Sequence, residues 1–151
     1  MIVNKNKICS NTKTLNKSLR DLAAREAAAS VPSEHDEQKS VIEWWDYVSQ
    51  ILRVPREVLF AIPNGGKRDI VTASFLKAEG VRPGVPDLFL AYPVGNAHGL
   101  FIEMKRRKGG AVSKYQNNML EILKTLGYKT DVCKGAEEAT KRIERYIKTG
   151  E

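Results

Sequence analysis

The sequence has no apolar run that approaches the roughly 20 residues needed to cross a lipid bilayer. The lysines near its first residue are not followed by an apolar stretch, so this end does not resemble a signal peptide. It also has no internal repeat and no low-complexity tract. With 42% hydrophobic and 28% charged residues, the composition is typical of a globular protein, and we expect a cytoplasmic protein with no membrane partner.

Cysteine is scarce, and its two occurrences, Cys9 and Cys133, lie far apart in the chain. Neither has a second cysteine or a histidine at the spacing of zinc ligands, which argues against a structural zinc site. We expect both to be free, reduced thiols, as is usual inside cells.

Acidic residues are too few to balance the basic ones, with 18 Asp and Glu against 25 Lys and Arg, a net charge of +7 and a pI near 9.5. This excess suits a polyanionic partner, nucleic acid first and an anionic membrane surface second. A smaller basic cluster, Lys67 and Arg68, follows a Gly-Gly pair. A larger one lies between positions 105 and 114 with no acid among its members, which are Lys105, Arg106, Arg107, Lys108 and Lys114.

At 151 residues, the chain has the size of one domain. We expect a basic N-terminal arm over residues 1–30, which contain six basic and two acidic residues and few large apolar ones. Leucines and an alanine at helical spacing could make residues 15–29 a helix. The compact domain is expected over residues 31–151.

Helix and strand patterns alternate through this domain. Helical spacing and capping residues predict helices over 33–52, 68–79, 113–126 and 136–148. Short apolar runs bounded by turn residues predict strands over 58–62, 85–91, 99–105 and 128–133. The second and third strands should pair as an antiparallel hairpin. We therefore expect an α/β fold with a small mixed sheet flanked by helices.

Two carboxylates and a lysine meet on this predicted hairpin. Since side chains alternate along a strand, Glu103 and Lys105 share one face, and the pairing can bring Asp87 beside Glu103. Adjacent carboxylates repel unless a cation lies between them, and oxygen-only ligation selects a hard ion such as Mg²⁺ or Mn²⁺. Such an ion polarises phosphate, and Lys105 could stabilise the transition-state charge or orient the attacking water, as phosphodiester hydrolysis requires.

The same residues also have a plain structural interpretation. An aspartate after proline is common at strand starts, and Glu-X-Lys on an edge strand is often a solvated face with a cross-strand pair. The surroundings favour the catalytic interpretation, because the acids lie within apolar strands and a basic cluster follows at once.

Several motifs, taken in order, resemble the virus-type replication-repair nuclease (VRR-NUC) domain of the PD-(D/E)XK superfamily. They are Ile62-Pro63-Asn64-Gly65-Gly66-Lys67-Arg68, Gly84-Val85-Pro86-Asp87-Leu88, His98-Gly99-Leu100-Phe101-Ile102-Glu103-Met104-Lys105, Gly109-Gly110, Ser113-Lys114-Tyr115-Gln116 and Gly127-Tyr128. The resemblance covers roughly residues 33–147. It implies the restriction-endonuclease-like αβββαβ core, whose order is contained in the elements predicted above.

The resemblance also implies a divalent-metal nuclease with Asp87 and Glu103 as metal ligands and Lys105 as the catalytic lysine. The family has a further glutamate on its first core helix, for which Glu34 and Glu37 compete. We favour Glu34 because it lies on the inward stripe of that helix, although an acid at a helix start is also favourable by itself. Gln116 matches a glutamine often found near the site, or it completes a capping box with the preceding serine.

Phosphate contacts are assigned to the residues of the two basic loops, and salt-sensitive binding would follow from them. For those at 106–108 a solvated turn is the alternative. The set assigned to DNA binding is Asn64, Lys67, Arg68, Arg106, Arg107, Lys108 and Lys114.

Small stand-alone members of such a family are encoded by phages and bacteria, so the resemblance implies a cytoplasmic nuclease of a bacterium or a phage-infected host cell. It also suggests a homodimer acting on branched DNA, such as four-way (Holliday) junctions or flaps, in replication, recombination or repair. Trp44, Tyr47 and Ile51 on the first helix could form the dimer interface, while Trp45 suits a core or interface position equally. The alternatives are a sequence-specific restriction enzyme and a DNA-binding module without catalysis.

Overall fold

A computed structural model describes residues 31–63 and 70–151, with side chains from position 74 onward in the second range. The expected basic arm over 1–30, including its predicted helix, lies outside the described residues. So do Asn64, Lys67 and Arg68, which were assigned to phosphate contacts. None of the helices in the described ranges is long and apolar enough to span a membrane.

The predicted order of helices and strands is confirmed. A single 3-10 turn, Arg56–Val58, precedes the first strand. In chain order the elements are α1 (Glu34–Leu52), β1 (Leu59–Ala61), α2 (Ile70–Ala78), β2 (Leu88–Leu90), β3 (Leu100–Lys105), α3 (Lys114–Thr125), β4 (Lys129–Lys134) and α4 (Ala136–Thr149). The fold is α/β and contains the expected αβββαβ core.

The second strand is shorter than expected, since the prediction covered 85–91 and β2 contains only Leu88–Leu90. Pro86 has no N–H to donate to a neighbouring strand, which limits regular pairing at this end. Pairing nevertheless reaches one residue further, because the Ile62 N–H donates to the Asp87 carbonyl oxygen at 2.8 Å. Asp87 therefore lies at the very start of β2, in line with the strand.

The four strands form one mixed sheet in the order β1-β2-β3-β4. The β1–β2 and β2–β3 pairs are antiparallel, and β3–β4 is parallel. In the expected hairpin, Leu88 lies opposite Ile102 and Leu90 opposite Leu100. The parallel pair requires a crossover between its strands, and α3 provides it.

Helices α1 and α4 cover one face of the sheet and bury the main core. Burial of each large apolar side chain contributes roughly 1.5–3 kcal/mol. Trp45 belongs to this core, and its indole N–H is satisfied by the Arg56 carbonyl oxygen at 2.8 Å. The core is formed by Val41, Trp45, Leu88, Leu90, Leu100, Ile102, Met104, Ala139, Ile143 and Tyr146.

Cys133 also lies in this core, with a free thiol as expected. Burial raises the pKa of the Cys133 thiol to about 12. The thiol is therefore protonated at neutral pH and has little nucleophilic reactivity. Cys9 lies outside the described residues.

The opposite face of the sheet carries an aromatic row. Phe60, Phe89 and Phe101 lie opposite one another on β1, β2 and β3. The rings of Phe89 and Phe101 stack with centroids 4.1 Å apart. Because side chains alternate along β3, Glu103 and Lys105 share the face of Phe101. The residues predicted to carry the chemistry thus lie beside the aromatic row, toward the end of β3.

Candidate active site

Glu103 and Lys105 lie on β3, in which every residue is buried. The Lys105 ammonium donates a hydrogen bond to Glu103 Oε1 and a second one, at 3.0 Å, to the Met104 carbonyl oxygen. Gly110 packs against the lysine, since a Cβ at this position would lie 2.9 Å from Lys105 Cβ. The lysine is therefore held in place on the same face as the glutamate.

Asp87 comes opposite Glu103 when the β2–β3 register is extended by one residue from the Leu88–Ile102 pair. Its Oδ2 accepts a hydrogen bond from the Met104 N–H at 2.8 Å, which ties the carboxylate to the neighbouring strand. The structure thus brings the two predicted carboxylates and the lysine together at one end of the hairpin.

Gln116, near the start of α3, joins the site through its amide. Its Nε2 donates to Glu103 Oε1, while its own Oε1 accepts from the Ser113 N–H at 2.8 Å. The capping box and the contact with the site were expected as alternatives, and one side chain makes both. Gly84, with a φ of 84°, lets the loop before β2 approach α3, because a Cβ there would lie only 2.4 Å from the Tyr115 carbonyl oxygen.

Glu103 is held at an electrostatic cost. Its side chain is 1% exposed, and its Oε2 has no hydrogen-bond partner among the described residues. The pKa of Glu103 is raised to about 7, mainly because burial disfavours the charged form; the Lys105 hydrogen bond opposes this rise, and the negative charges of Asp87 and Glu34 add to it. An unpartnered buried carboxylate oxygen beside a second carboxylate is a position where a cation would be stabilising.

The two first-turn glutamates of α1 have different environments. The prediction that Glu34 lies on the inward stripe of this helix was wrong, because the buried stripe is formed by Glu37, Val41, Trp45 and Ser49. Glu37 is buried, and its carboxylate accepts from Arg107 Nε at 2.6 Å and from the Ala136 N–H at 2.7 Å. The hydrogen bond from Arg107 is the main cause that lowers the pKa of Glu37. Within the described residues Glu34 makes no hydrogen bond or ion pair, and its negative charge raises the pKa of Glu103. Glu34 is therefore the glutamate that remains available to a ligand.

Capping of α1 is performed by other residues. Ser33 Oγ accepts from the Asp36 N–H at 3.1 Å, and Asp36 Oδ2 accepts from the Ser33 N–H at 3.1 Å. This reciprocal pair satisfies the N–H groups of Ser33 and Asp36 at the helix start. The helix start consequently needs neither Glu34 nor Glu37 as a cap.

The basic residues after β3 divide into two groups. Arg106 and Lys108 are exposed in the loop, and Lys114 is exposed at the first residue of α3. Arg107, by contrast, is paired with Glu37, with about half of its side chain (51%) exposed. Its guanidinium therefore has an internal partner although half of the side chain is exposed, whereas the other three have no such partner among the described residues.

The carboxylates of the site have the chemistry to bind a divalent ion. In the described ranges, no three or more His, Cys, Asp or Glu side chains already form a metal-binding group. The chemistry still fits a hard cation, because Glu103 Oε2 is buried without a partner and Asp87 lies opposite. Glu34, Asp87 and Glu103 supply only oxygen donors, which suits Mg²⁺ or Mn²⁺.

Comparison with known families gives a match to the VRR-NUC domain over residues 23–137, more than half of the chain. The chain belongs to the VRR-NUC family. A solved structure described as a VRR_NUC domain protein is 27% identical, with a TM-score of 0.66, and the match covers 79% of this chain and 91% of that one. No curated protein sequence matches. The VRR-NUC domain is a nuclease domain of the PD-(D/E)XK type, so the expected family and fold are confirmed.

Sequence reasoning missed the Glu37–Arg107 pair. The partners are separated by 70 residues, and no local pattern links them. From the sequence, Glu37 was recognised only as an alternative to Glu34 as a metal ligand. Arg107 was visible only as one member of a basic cluster.

Proposed function

We propose that this VRR-NUC protein is a divalent-metal-dependent DNA endonuclease that hydrolyses phosphodiester bonds, selectively on branched DNA such as four-way junctions or flaps. The observation that carries the proposal is the buried Oε2 of Glu103, which has no hydrogen-bond partner in the described part of the chain, with Asp87 opposite and Lys105 on the same face. A nuclease domain implies nucleic acid as its substrate, and the net charge of +7 suits it.

Glu34, Asp87 and Glu103 would hold Mg²⁺ or Mn²⁺ in this site. When bound, the ion supplies polarisation of a phosphate oxygen and a more acidic water. Lys105 would donate to a phosphate oxygen or to the attacking water and stabilise the negative charge that develops there. The Gln116 amide donates to Oε1 of Glu103 and thereby leaves Oε2 of Glu103 as the oxygen that can bind the metal ion.

DNA would be held mainly through its phosphates. Arg106, Lys108 and Lys114 are exposed close to the site in sequence and are the first candidates for these contacts. Asn64, Lys67 and Arg68 complete the proposed DNA-binding set.

Branched DNA and a homodimer belong together in this proposal. Two copies related by a twofold axis would present two sites to two strands, as symmetric junction cleavage requires. Tyr47 and Ile51 on α1 are 69% and 65% exposed and offer an apolar surface for such pairing, while Trp44 is half-buried against the core.

The test is cleavage of labelled four-way junctions, flaps, linear duplex and plasmid in Mg²⁺ or Mn²⁺, with an EDTA control. We expect metal-dependent cleavage that is fastest on the branched substrates. A discrete fragment ladder on duplex DNA would instead support a restriction enzyme. Tight binding with no cleavage in either metal would support a binding module, and cleavage in EDTA would contradict metal dependence.

A further inference from the structure

Glu37 and Arg107 form an ion pair, buried on the glutamate side and half-exposed on the arginine side, that connects three parts of the fold. The Glu37 side chain is only 2% exposed and accepts from Arg107 Nε at 2.6 Å, from Arg107 Nη2 at 3.3 Å and from the Ala136 N–H at 2.7 Å. These contacts link the first turn of α1, the loop after β3 and the start of α4. We call this set the Glu37–Arg107 junction.

The backbone at Gly135 belongs to the same junction. Its N–H donates to the Lys105 carbonyl oxygen at 2.9 Å, which anchors the end of β3. A Cβ at this glycine would lie 2.9 Å from Arg107 Cγ and 3.2 Å from Glu37 Oε2, so its absence makes room for the pair. Gly135 also offers no side-chain cap to α4, and Glu37 supplies the missing acceptor at Ala136.

The junction lies directly beside the proposed metal ligands in the chain. Glu34 is three residues before Glu37, about one helical turn away on the same side of α1. Lys105 is two residues before Arg107, and Glu103 is four residues before it. Among the described residues, the junction therefore connects the turn that carries Glu34 to the end of the strand that carries Glu103 through hydrogen bonds.

We propose that Glu37 and Arg107 are positioning residues, which hold the Glu34 turn of α1 against β3 and so set the affinity of the site for its divalent ion. The inference rests on the proposed metal site and adds two residues that do not touch the ion. Glu37 is not needed as a helix cap, since Ser33 and Asp36 already cap α1. Arg107 differs from Arg106 and Lys108, which have no ion-pair partner in the part of the chain that the structure describes.

The test is Mn²⁺ binding to the DNA-free protein, measured by titration calorimetry and by the loss of the free-Mn²⁺ electron paramagnetic resonance signal. Glu37→Gln removes the charge and keeps an acceptor for Ala136. Arg107→Gln removes the ion pair from the half-exposed side. We expect each variant to bind Mn²⁺ about 10- to 100-fold more weakly, as for other residues that orient metal ligands. The Mn²⁺ concentration for half-maximal cleavage should rise by a similar factor, with the rate largely recovered at saturating metal.

Asp131→Asn is the matched control. It breaks another ion pair between elements, that of Arg142 Nε with Asp131 Oδ2 at 2.7 Å, which joins α4 to β4. Asp131 lies opposite Ile102, whose side chain belongs to the core on the other face of the sheet. This variant should keep the Mn²⁺ affinity of the wild-type protein.

Wild-type Mn²⁺ affinity in a folded Glu37→Gln variant would overturn the inference. If Glu37→Gln does not fold, Arg107→Gln decides, because it leaves the Glu37–Ala136 bond in place. A rise in half-maximal Mn²⁺ in Asp131→Asn equal to that in Arg107→Gln would also overturn it, since general destabilisation would then explain the effect. If the wild-type protein binds Mn²⁺ but cleaves no DNA, the proposed function fails while Mn²⁺ binding still decides the positioning role.

Discussion

The double role of Gln116 can be separated by substitution. Gln116→Glu keeps a side-chain oxygen for the Ser113 N–H, because glutamate serves in a capping box as well as glutamine does. It removes the N–H donor to Glu103 and places another carboxylate next to it. Ser113→Ala does the opposite, because it removes the hydroxyl that accepts from the Gln116 N–H at 3.2 Å and leaves the contact with Glu103.

The expected magnitudes follow from these contacts. Loss of a helix cap costs about 0.5–2 kcal/mol, so Ser113→Ala should lower the free energy of unfolding by roughly 1 kcal/mol with little effect on cleavage. A hydrogen bond to a charged group contributes about 1.5–3 kcal/mol. If Gln116→Glu loses this much in the transition state, cleavage should slow roughly 10- to 100-fold. Gln116→Ala should show both losses.

The assay pairs urea unfolding in EDTA with single-turnover cleavage of a labelled four-way junction in Mg²⁺. Equal slowing of cleavage by Ser113→Ala and Gln116→Glu would refute the separation, because loss of the cap alone would then explain both. Full activity in Gln116→Glu would show that the amide of Gln116 has no role in cleavage. If the wild-type protein does not cut the four-way DNA junction, the assay uses the flap or duplex substrate instead.

Three further outcomes are expected around the site. Asp87→Ala and Glu103→Ala should abolish cleavage while the circular dichroism spectrum and DNA binding stay unchanged. Lys105→Ala should slow cleavage at least about 100-fold and keep the affinity for Mn²⁺. Full activity in either acid variant would disprove the site. The pKa of Glu103 in the folded, metal-free protein is about 7, above its ordinary 4.5, so between these two pH values the folded state binds a proton that the unfolded state does not. The free energy of unfolding in urea should therefore fall by up to about 3 kcal/mol from pH 5 to 8. A fall of the same size in Glu103→Gln would contradict this cause. DNA affinity should drop steeply with salt, and Arg106→Ala with Lys108→Ala should flatten the slope of log Kd against log salt by about one unit per lost contact; an unchanged slope would exclude these residues.

The order of elements could be predicted from the sequence because its signals are local. Ser33 and Ser113 cap the helices that follow them, as expected. The hairpin register was also accessible, since period-two alternation and one turn fix which residues face each other. It allowed Asp87 to be expected beside Glu103, which the Leu88–Ile102 pair implies when it is extended by one residue.

Two aspects of the site could not be predicted, because they depend on how distant segments pack. Gln116 makes its cap and its contact with Glu103 at the same time, which depends on how α3 packs beside β3. The choice between Glu34 and Glu37 depends on Arg107, which no periodicity connects to α1. In each case the deciding contact spans many residues and leaves no local pattern.

The parallel pairing of β3 with β4 constrains how sequences of this fold can vary. A parallel strand must be reached by crossing the sheet, so the helix between the strands has a fixed place whatever loop leads to it. The start of α3 therefore returns to the end of β3, and Gln116 comes within reach of Glu103 through topology rather than through the residues of the loop. Substitutions and short insertions at positions 107–109 should consequently leave this amide contact intact, whereas moving Gln116 by one position along α3 should turn it about 100° away from Glu103.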